Sequence, residues 1–192
     1  SGIILRKSYD SSFPTYHPQK AFRMIRDGDR ILTTRPGLTL RPERPDDEAL
    51  TFRIFAASKA LDFDGMPMPQ HQKDFLLRQQ HVSQLYNWRY LYPGLEQWII
   101  ECGGEPVGRL IFSNPPDQII LHDLAMLPGR KGVGGGRIVI RDVIFAEAIR
   151  CGKIARASVA PLNPARRLYA RMGVTELPMT PDSPMIPLEW LP

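Results

Sequence analysis

The chain has 192 residues, of which 43% are hydrophobic and 23% are charged, and its formal net charge is +5. This length and composition predict one globular domain with a hydrophobic core. No run of about 18 apolar residues occurs, so no membrane span is expected. Nine basic and four acidic side chains lie in residues 1–44, whereas residues 45–192 hold sixteen of each. The excess positive charge therefore lies at the N-terminal end.

The first 37 residues lack a sustained hydrophobic period and contain turn signals. They predict a basic N-terminal extension at 1–37, followed by a folded domain at 38–192. Within the extension, residues 3–5 predict a short strand and residues 21–25 a short helix. We interpret the extension as a solvated or partner-docked segment. The alternative is a basic arm that contacts nucleic acid or an acidic partner.

The two cysteines, Cys102 and Cys151, lie far apart in apolar surroundings. Two cysteines make neither a zinc site nor a disulfide framework, so no metal is predicted. We expect buried free thiols in a reducing cytoplasm, and no signal-peptide pattern is visible.

From Leu38 onward, strand-like and helix-like periods alternate, with Gly and Pro at the junctions. The pattern predicts ten elements in the order β-α-α-β-β-β-α-β-α-β, which is an α/β (α+β) fold with a mixed sheet flanked by helices. The elements span residues 38–42, 45–61, 69–91, 96–103, 105–114, 118–127, 136–151, 153–160, 163–173 and 185–191.

Four glycines, Gly132, Gly134, Gly135 and Gly136, lie within five residues between a strand and a helix. The first turn of a helix leaves about four N–H groups without intrahelical partners, and the helix dipole makes that end positive. Glycine lets an anion approach these groups because it has no Cβ. Cations stand beside the turn at 130, 131 and 137. The turn predicts a phosphate site, most simply for a pyrophosphate.

Two other phosphate motifs do not fit this turn. A Walker loop needs a Gly-Lys-Ser/Thr ending, which is missing. A dinucleotide fingerprint would need glycine at position 137, which is Arg137, and it would lie in the first βα unit of the chain.

The stretch Lys131–Gly136 resembles the Arg/Gln-Gly-x-Gly-x-Gly/Ala loop of the GNAT acyl-CoA-dependent N-acyltransferases. Residues 124–128, LAMLP, resemble the end of that family's fourth strand, and residues 163–174, NPARRLYARMGV, resemble its later Asn…Tyr…Gly helix. The resemblance covers about residues 38–190. Lys131 departs from Arg or Gln, losing planar geometry. Gly135 departs from a branched aliphatic residue and should loosen the helix start by about 1 kcal/mol.

The resemblance implies a mostly antiparallel sheet that splays after its fourth strand, and acetyl-CoA or a related acyl-CoA as cofactor. An amine would attack the thioester directly, without a covalent enzyme intermediate. The pyrophosphate would rest on the amides of the glycine turn, and the pantetheine arm would lie along the preceding strand end. The implied cofactor-binding residues are Leu124, Ala125, Met126, Leu127, Lys131, Gly132, Val133, Gly134, Gly135, Gly136, Arg137 and Asn163. For Asn163, capping its own helix is the alternative role.

The resemblance also implies catalytic residues. Tyr169 occupies the family's Tyr position and would protonate the leaving thiolate. His122 is the predicted base, because LHDLAM at 121–126 resembles arylalkylamine N-acetyltransferase. Along a regular strand, His122 would share one face with residues 124 and 126, and Asp123 would point away in a structural role. Glu101 is a further candidate base.

The acceptor amine is not identified by the sequence. The aromatic cluster YNWRYLY at 86–92 is predicted to wall the acceptor site and would suit an apolar or cationic amine. Two other functions stay open: a non-catalytic acyl-CoA-binding module, and acyl transfer to an RNA or ribosome-associated partner through the basic arm. The arm and the last strand could also mediate a homodimer.

Overall fold

The computed structural model describes residues 24–60, 67–129, 134–181 and 183–192. Its centre is a sheet with the strand order β1-β2-β3-β4-β5-β6-β7-β9-β8, in which every described neighbouring pair is antiparallel except β6–β7. The strands are β1 (Ile25–Asp27), β2 (Arg30–Leu32), β3 (Leu38–Pro42), β4 (Glu96–Cys102), β5 (Glu105–Ser113), β6 (Gln118–Met126), β7 (Ile154–Val159), β8 (Thr175–Glu176) and β9 (Ile186–Trp190).

Helices cover both faces of this sheet. The α-helices are α1 (Glu48–Lys59), α2 (Gln70–Leu91), α3 (Gly135–Val139), α4 (Ala146–Cys151) and α5 (Arg166–Arg171). A 3-10 turn (Pro45–Asp47) leads into α1. A π-helical turn (Ile140–Phe145) joins α3 to α4, so that residues 135–151 form one helical segment.

Side-chain alternation along β5 divides the interior into two layers. Leu110 and Phe112 are fully buried in the cluster that packs against helix 135–151. Arg109 points to the opposite face, where its guanidinium lies 5.6 Å from the Phe55 ring of α1. Because successive side chains of a strand point to opposite faces, one strand serves both layers. Each fully buried aliphatic side chain contributes about 1.5–3 kcal/mol.

From β3 onward the predicted order of elements is confirmed, and three short strands are additions. Two of them, β1 and β2, form a hairpin through Gly28 in the segment predicted as an extension, and Ile25 is in a strand rather than a helix. The third is β8. Strands of two or three residues are too short to show a period in the sequence. The predicted strand at 3–5 and the basic arm before residue 24 lie outside the described residues, so the extension stays a prediction there.

Cys102 and Cys151 are free, as predicted, but each is half-buried rather than fully buried. Cys151 ends α4, where its sulfur lies 3.1 Å from the Arg150 guanidinium and 3.6 Å from the Glu147 carboxylate. Within the described ranges, no helix has both the length and the apolar character that crossing a bilayer requires.

Candidate active site

The two parallel strands of the sheet separate beyond Leu121, and we call the gap between them the groove. β6 pairs with β7 only from Gln118 to Leu121, and after Leu121 no described strand pairs with that edge of β6. The Leu127 N–H donates to the Val107 carbonyl of β5, so by strand alternation the backbone groups of Leu124 and Met126 point to the open edge. An extended ligand can pair with such an edge as an added strand does.

A β-bulge in β6 decides which side chains face which layer. Ile111 pairs with Asp123 and Phe112 with Leu121, so His122 is an extra residue in the ladder. His122 and Asp123 consequently both face α1 and α2, where they contact aromatic rings and Arg109 respectively.

Leu124 and Met126 face the other way, toward the start of α3. The Met126 Cε lies 3.2 Å from the position that a Cβ on Gly135 would take, and the Leu124 Cδ2 lies 3.8 Å from that position on Gly136. The prediction that His122 shares a face with residues 124 and 126, with Asp123 opposite, is therefore wrong. The bulge shifts the alternation by one residue, which a regular strand period does not anticipate.

His122 is held by three neighbours. Its Nε2 is hydrogen-bonded to the Ser113 hydroxyl at 2.8 Å, and its ring centroid lies 5.3 Å from that of Trp88 and 4.6 Å from that of Tyr92. Burial lowers the pKa of His122 to about 4, so the imidazole is neutral at pH 7. Its Nδ1 has no partner among the described residues. His122 can therefore accept a hydrogen bond, although the low pKa makes it a weak base.

Tyr169 lies on α5 and packs against the core. It lines a small apolar cavity of ≈ 20 Å³ together with Leu121 and Ala157, the last residue pair that joins β6 to β7. Burial, and next the negative charge of Asp123, raise the pKa of Tyr169 to about 12. The phenol therefore stays protonated at neutral pH. Its hydroxyl has no hydrogen-bond partner among the described residues, so its proton is free to be donated.

Gly134 marks the entry to α3. Its φ of 74° is in the left-handed region, which favours glycine, and a Cβ there would meet no atom of the described residues within 4 Å. Gly135 is buried, and Met126 occupies the space that a side chain at 135 would need. This close approach accounts for glycine in place of a branched residue. Arg130, Lys131, Gly132 and Val133 lie outside the described residues, and their cofactor role stays a prediction.

Asn163 precedes α5, where its Oδ1 accepts a hydrogen bond from the Ala165 N–H at 2.9 Å. This bond holds the turn that leads into α5, whose N-cap residue is Ala165. Because Asn163 is exposed, a further contact with a cofactor arm remains a prediction.

Glu101 is engaged by two guanidinium groups rather than free to act as a base. Its oxygens lie 2.5 Å from Arg30 and 2.9 Å from Arg41, and Arg41 also binds both oxygens of Asp47 at 2.6 and 2.8 Å. Burial would raise the pKa of Glu101, but the hydrogen bonds from Arg30 and Arg41 hold this pKa below its usual value. The geometry assigns Glu101 to a buried ionic network.

The aromatic cluster at the end of α2 is divided between two surroundings. Trp88 and Tyr92 face the sheet and cover His122. Tyr86 and Tyr90 are 72% and 76% exposed on the opposite side of the helix. The predicted aromatic wall is therefore limited to two rings, which bury His122.

Three polar side chains on β5, β6 and α2 form a contact that the sequence pattern did not predict. Arg109 is 1% exposed, its Nε donates to the Asp123 Oδ2 at 2.7 Å, and its Nη1 lies 3.4 Å from the Nδ1 of His81 on α2. One signal for this contact was present in the sequence, because Arg109 stands in the otherwise apolar strand segment RLIF at 109–112. A buried guanidinium needs an anionic partner, so this arginine predicts one nearby.

Acid is expected to destabilise the fold through its two buried histidines. Burial lowers the pKa of both His81 and His122 from 6.5 to about 4, and the charge of Arg109 adds to the effect on His81. Between these values the unfolded chain binds more protons than the folded protein, so the free energy of unfolding falls as the pH falls through this window. Urea denaturation at pH values from about 7 to 4 measures this slope.

The variants His81→Gln and His122→Gln should each make this slope shallower. His71→Gln is the matched control, because His71 is exposed at the start of α2. Equal slopes in the wild-type protein and all three variants would contradict this account.

The geometry defines a class of protein. A mixed sheet opens between two parallel strands, a glycine-headed helix starts beside the opening, and a neutral imidazole and a protonated phenol flank it. Such a protein is built to hold an extended anionic ligand along a sheet edge. The sequence profile of the Acetyltransferase (GNAT) family matches residues 63–174, more than half of the chain. The chain belongs to the GNAT acetyltransferase family.

Solved structures share this fold. PaiA N-acetyltransferase of Thermoplasma acidophilum, in complex with coenzyme A, is 10% identical, with a TM-score of 0.57 over 80% of this chain and 98% of that chain. An acetyltransferase of Agrobacterium tumefaciens strain C58 is 21% identical, with a TM-score of 0.56 over 96% and 98%. YncA of Salmonella typhimurium, with its cofactor acetyl-CoA, is 19% identical, with a TM-score of 0.50 over 81% and 94%. The predicted GNAT fold is confirmed. No curated protein sequence matches the chain.

Proposed function

We propose that this protein is an N-acetyltransferase that transfers the acetyl group of acetyl-CoA to an amine by direct attack in a ternary complex. The observation that carries the proposal is the separation of β6 from β7 after Leu121, beside the glycine-headed helix. Family membership supports acyl transfer in general. The cofactors of PaiA and YncA support acetyl-CoA.

The described residues fit this cofactor. The first N–H groups of α3 have no intrahelical partner and are suited to a diphosphate, and no atom of the described residues lies within 4 Å of the Cβ position of Gly134. The free backbone groups of Leu124 and Met126 would pair with the pantetheine arm and place one N–H against the acyl oxygen. The cofactor residues are proposed to be those given by the sequence, namely 124–127, 131–137 and Asn163.

Acetyl-CoA supplies an activated thioester carbonyl, and the protein must manage two protons. The Tyr169 hydroxyl would give its proton to the leaving sulfur as a C–N bond replaces the C–S bond, and the phenolate would recover a proton from the nitrogen that becomes the amide. The acceptor's own surplus proton leaves through the free Nδ1 of His122, directly or by way of a water. Because His122 has a low pKa, it passes the proton on to solvent and does not keep it.

The test is thiol release from acetyl-CoA in the presence of a panel of primary amines, with an amine-free reaction as the control. We expect amine-dependent release and an N-acetyl product identified by mass spectrometry. Tight CoA binding without thiol release for any amine would instead favour a non-catalytic acyl-CoA-binding module. The Tyr169 hydroxyl favours catalysis, because it has no protein partner among the described residues and is not sealed from solvent, so it can reach a ligand.

The acceptor class and any macromolecular partner are also proposals. A small-molecule or peptide amine is the acceptor that the groove suits best. Transfer to an RNA-associated partner through the basic extension at 1–37 requires RNA affinity that falls steeply with salt. If the last strand mediates a homodimer, the mass of the protein measured in solution should be twice that of one chain.

A further inference from the structure

We propose that this protein forms a two-fold homodimer through the outer side of α2, which presents an uncharged and largely apolar surface to a second copy of the chain. The proposal does not depend on acyl transfer, because it concerns the side of α2 that faces away from the sheet. We call this surface the outer stripe. It consists of six exposed residues, namely Phe75, Gln79, Val82, Ser83, Tyr86 and Tyr90.

The apolar side chains of the outer stripe are largely uncovered. Phe75 and Val82 are 60% and 64% exposed, and Tyr86 and Tyr90 are 72% and 76% exposed. α2 has 22 residues and is therefore about 33 Å long, and the stripe follows it over most of this length. The inner side of α2, which carries the buried Leu77, packs on its own subunit. A continuous apolar row on the opposite side of such a helix marks an interaction surface.

The spacing of the outer stripe reads the same in both directions. Its six positions are separated by 4, 3, 1, 3 and 4 residues. A two-fold axis between Val82 and Ser83 therefore lays the stripe antiparallel on itself, with Phe75 against Tyr90 of the partner subunit. The smaller residues lie at the crossing point, where packed helices come closest, and the aromatic rings lie at both ends. An unrelated partner would not require this symmetry, so a second copy is the occupant that fits.

The charge pattern of α2 also favours a self-contact. Each chain has a formal net charge of +5, so two copies repel each other unless the contact surface is uncharged. Arg78 turns back to its own subunit, where its guanidinium lies 4.2 Å from the centroid of the Phe52 ring. Arg89 does the same and donates to the Gln97 side chain at 3.2 Å. No charged residue of α2 belongs to the outer stripe; they are Lys73, Asp74, Arg78 and Arg89.

The area of the outer stripe matches a small dimer interface. An aromatic side chain has about 150–250 Å² of surface, so the exposed fractions of the three rings leave about 450 Å² uncovered. With its other three positions the stripe offers about 600 Å² per subunit, or about 1,200 Å² in the dimer, which is the lower limit for a specific interface. We expect a reversible dimer with a dissociation constant of about 1–100 μM.

The test is sedimentation equilibrium of the full chain at concentrations from about 1 to 200 μM, which span the expected dissociation constant. The mass of the wild-type protein should rise from that of one chain, 21.8 kDa, to twice this value. Val82→Glu should raise the dissociation constant by about 10-fold or more, because the two-fold axis brings the two new charges together. Val82→Lys should do the same. An equimolar mixture of the two variants should regain the dimer, which unfolded variants could not do.

Leu191→Glu is the matched control. Leu191 is 65% exposed just after β9, so this variant adds the same charge beside the last strand instead of α2. It should dimerise like the wild type. A dimer that survives Val82→Glu but is lost in Leu191→Glu would overturn the proposal in favour of the last strand. A wild-type protein that stays a monomer over the whole concentration range, or a dimer that neither variant weakens, would overturn it as well.

Discussion

Gly134→Glu is expected to abolish binding of CoA, with a loss in affinity of about 100-fold or more. Gly134 has a φ of 74°, and within the described part of the chain no atom lies within 4 Å of its Cβ position at the start of α3. A glutamate there would be strained in the left-handed region and would add a negative charge where the N–H groups and the helix dipole attract an anion. Isothermal titration with CoA measures the loss.

Gly152→Glu is a closely matched control for this change. Gly152 lies just after α4, at the far end of the same helical segment, also with a positive φ, 63°, and also with no atom within 4 Å of a Cβ. The control carries the same charge and a similar backbone strain but is far from the groove. We expect it to bind CoA with wild-type affinity. Equal losses in both variants would show that the effect is unfolding, and the diphosphate assignment would then lack support.

Tyr169→Phe is expected to lower turnover by about 10-fold or more while leaving the affinity for CoA nearly unchanged. Since the Tyr169 hydroxyl has no hydrogen-bond partner among the described residues, its removal orphans no polar group. The free energy of unfolding should change by less than about 1 kcal/mol. Single-turnover kinetics with acetyl-CoA and an active amine measure the chemical step, and thermal unfolding measures the stability.

The matched control for Tyr169→Phe is Tyr86→Phe, on the exposed side of α2. This variant removes the same hydroxyl from a ring that is 72% exposed, and it should keep wild-type turnover. Full turnover in Tyr169→Phe would remove the proton-donor role and leave Tyr169 as a packing residue of the core.

The sequence could predict features that depend on local signals. Strands and helices from Leu38 onward carry clear hydrophobic periods, and Gly103 and Gly104 mark a hairpin that the structure confirms. The glycine turn and the Asn163-to-Gly173 helix have fixed spacings, which made the family recognisable before any geometry was known. The hairpin β1–β2 was not predictable, because three-residue strands depend on pairing with β3 and not on their own pattern.

By itself, the sequence therefore determined the element order, the family and the place of the glycine turn, since each follows from residues that are near one another in the chain. Only the tertiary structure decided which residues meet at the groove. The bulge at His122 depends on how β6 pairs with β5, and it places Asp123 on the face that carries Arg109. Arg109 and His81, on β5 and α2, are 28 positions apart. Such contacts are set by long-range packing and register, which no local period in the sequence encodes.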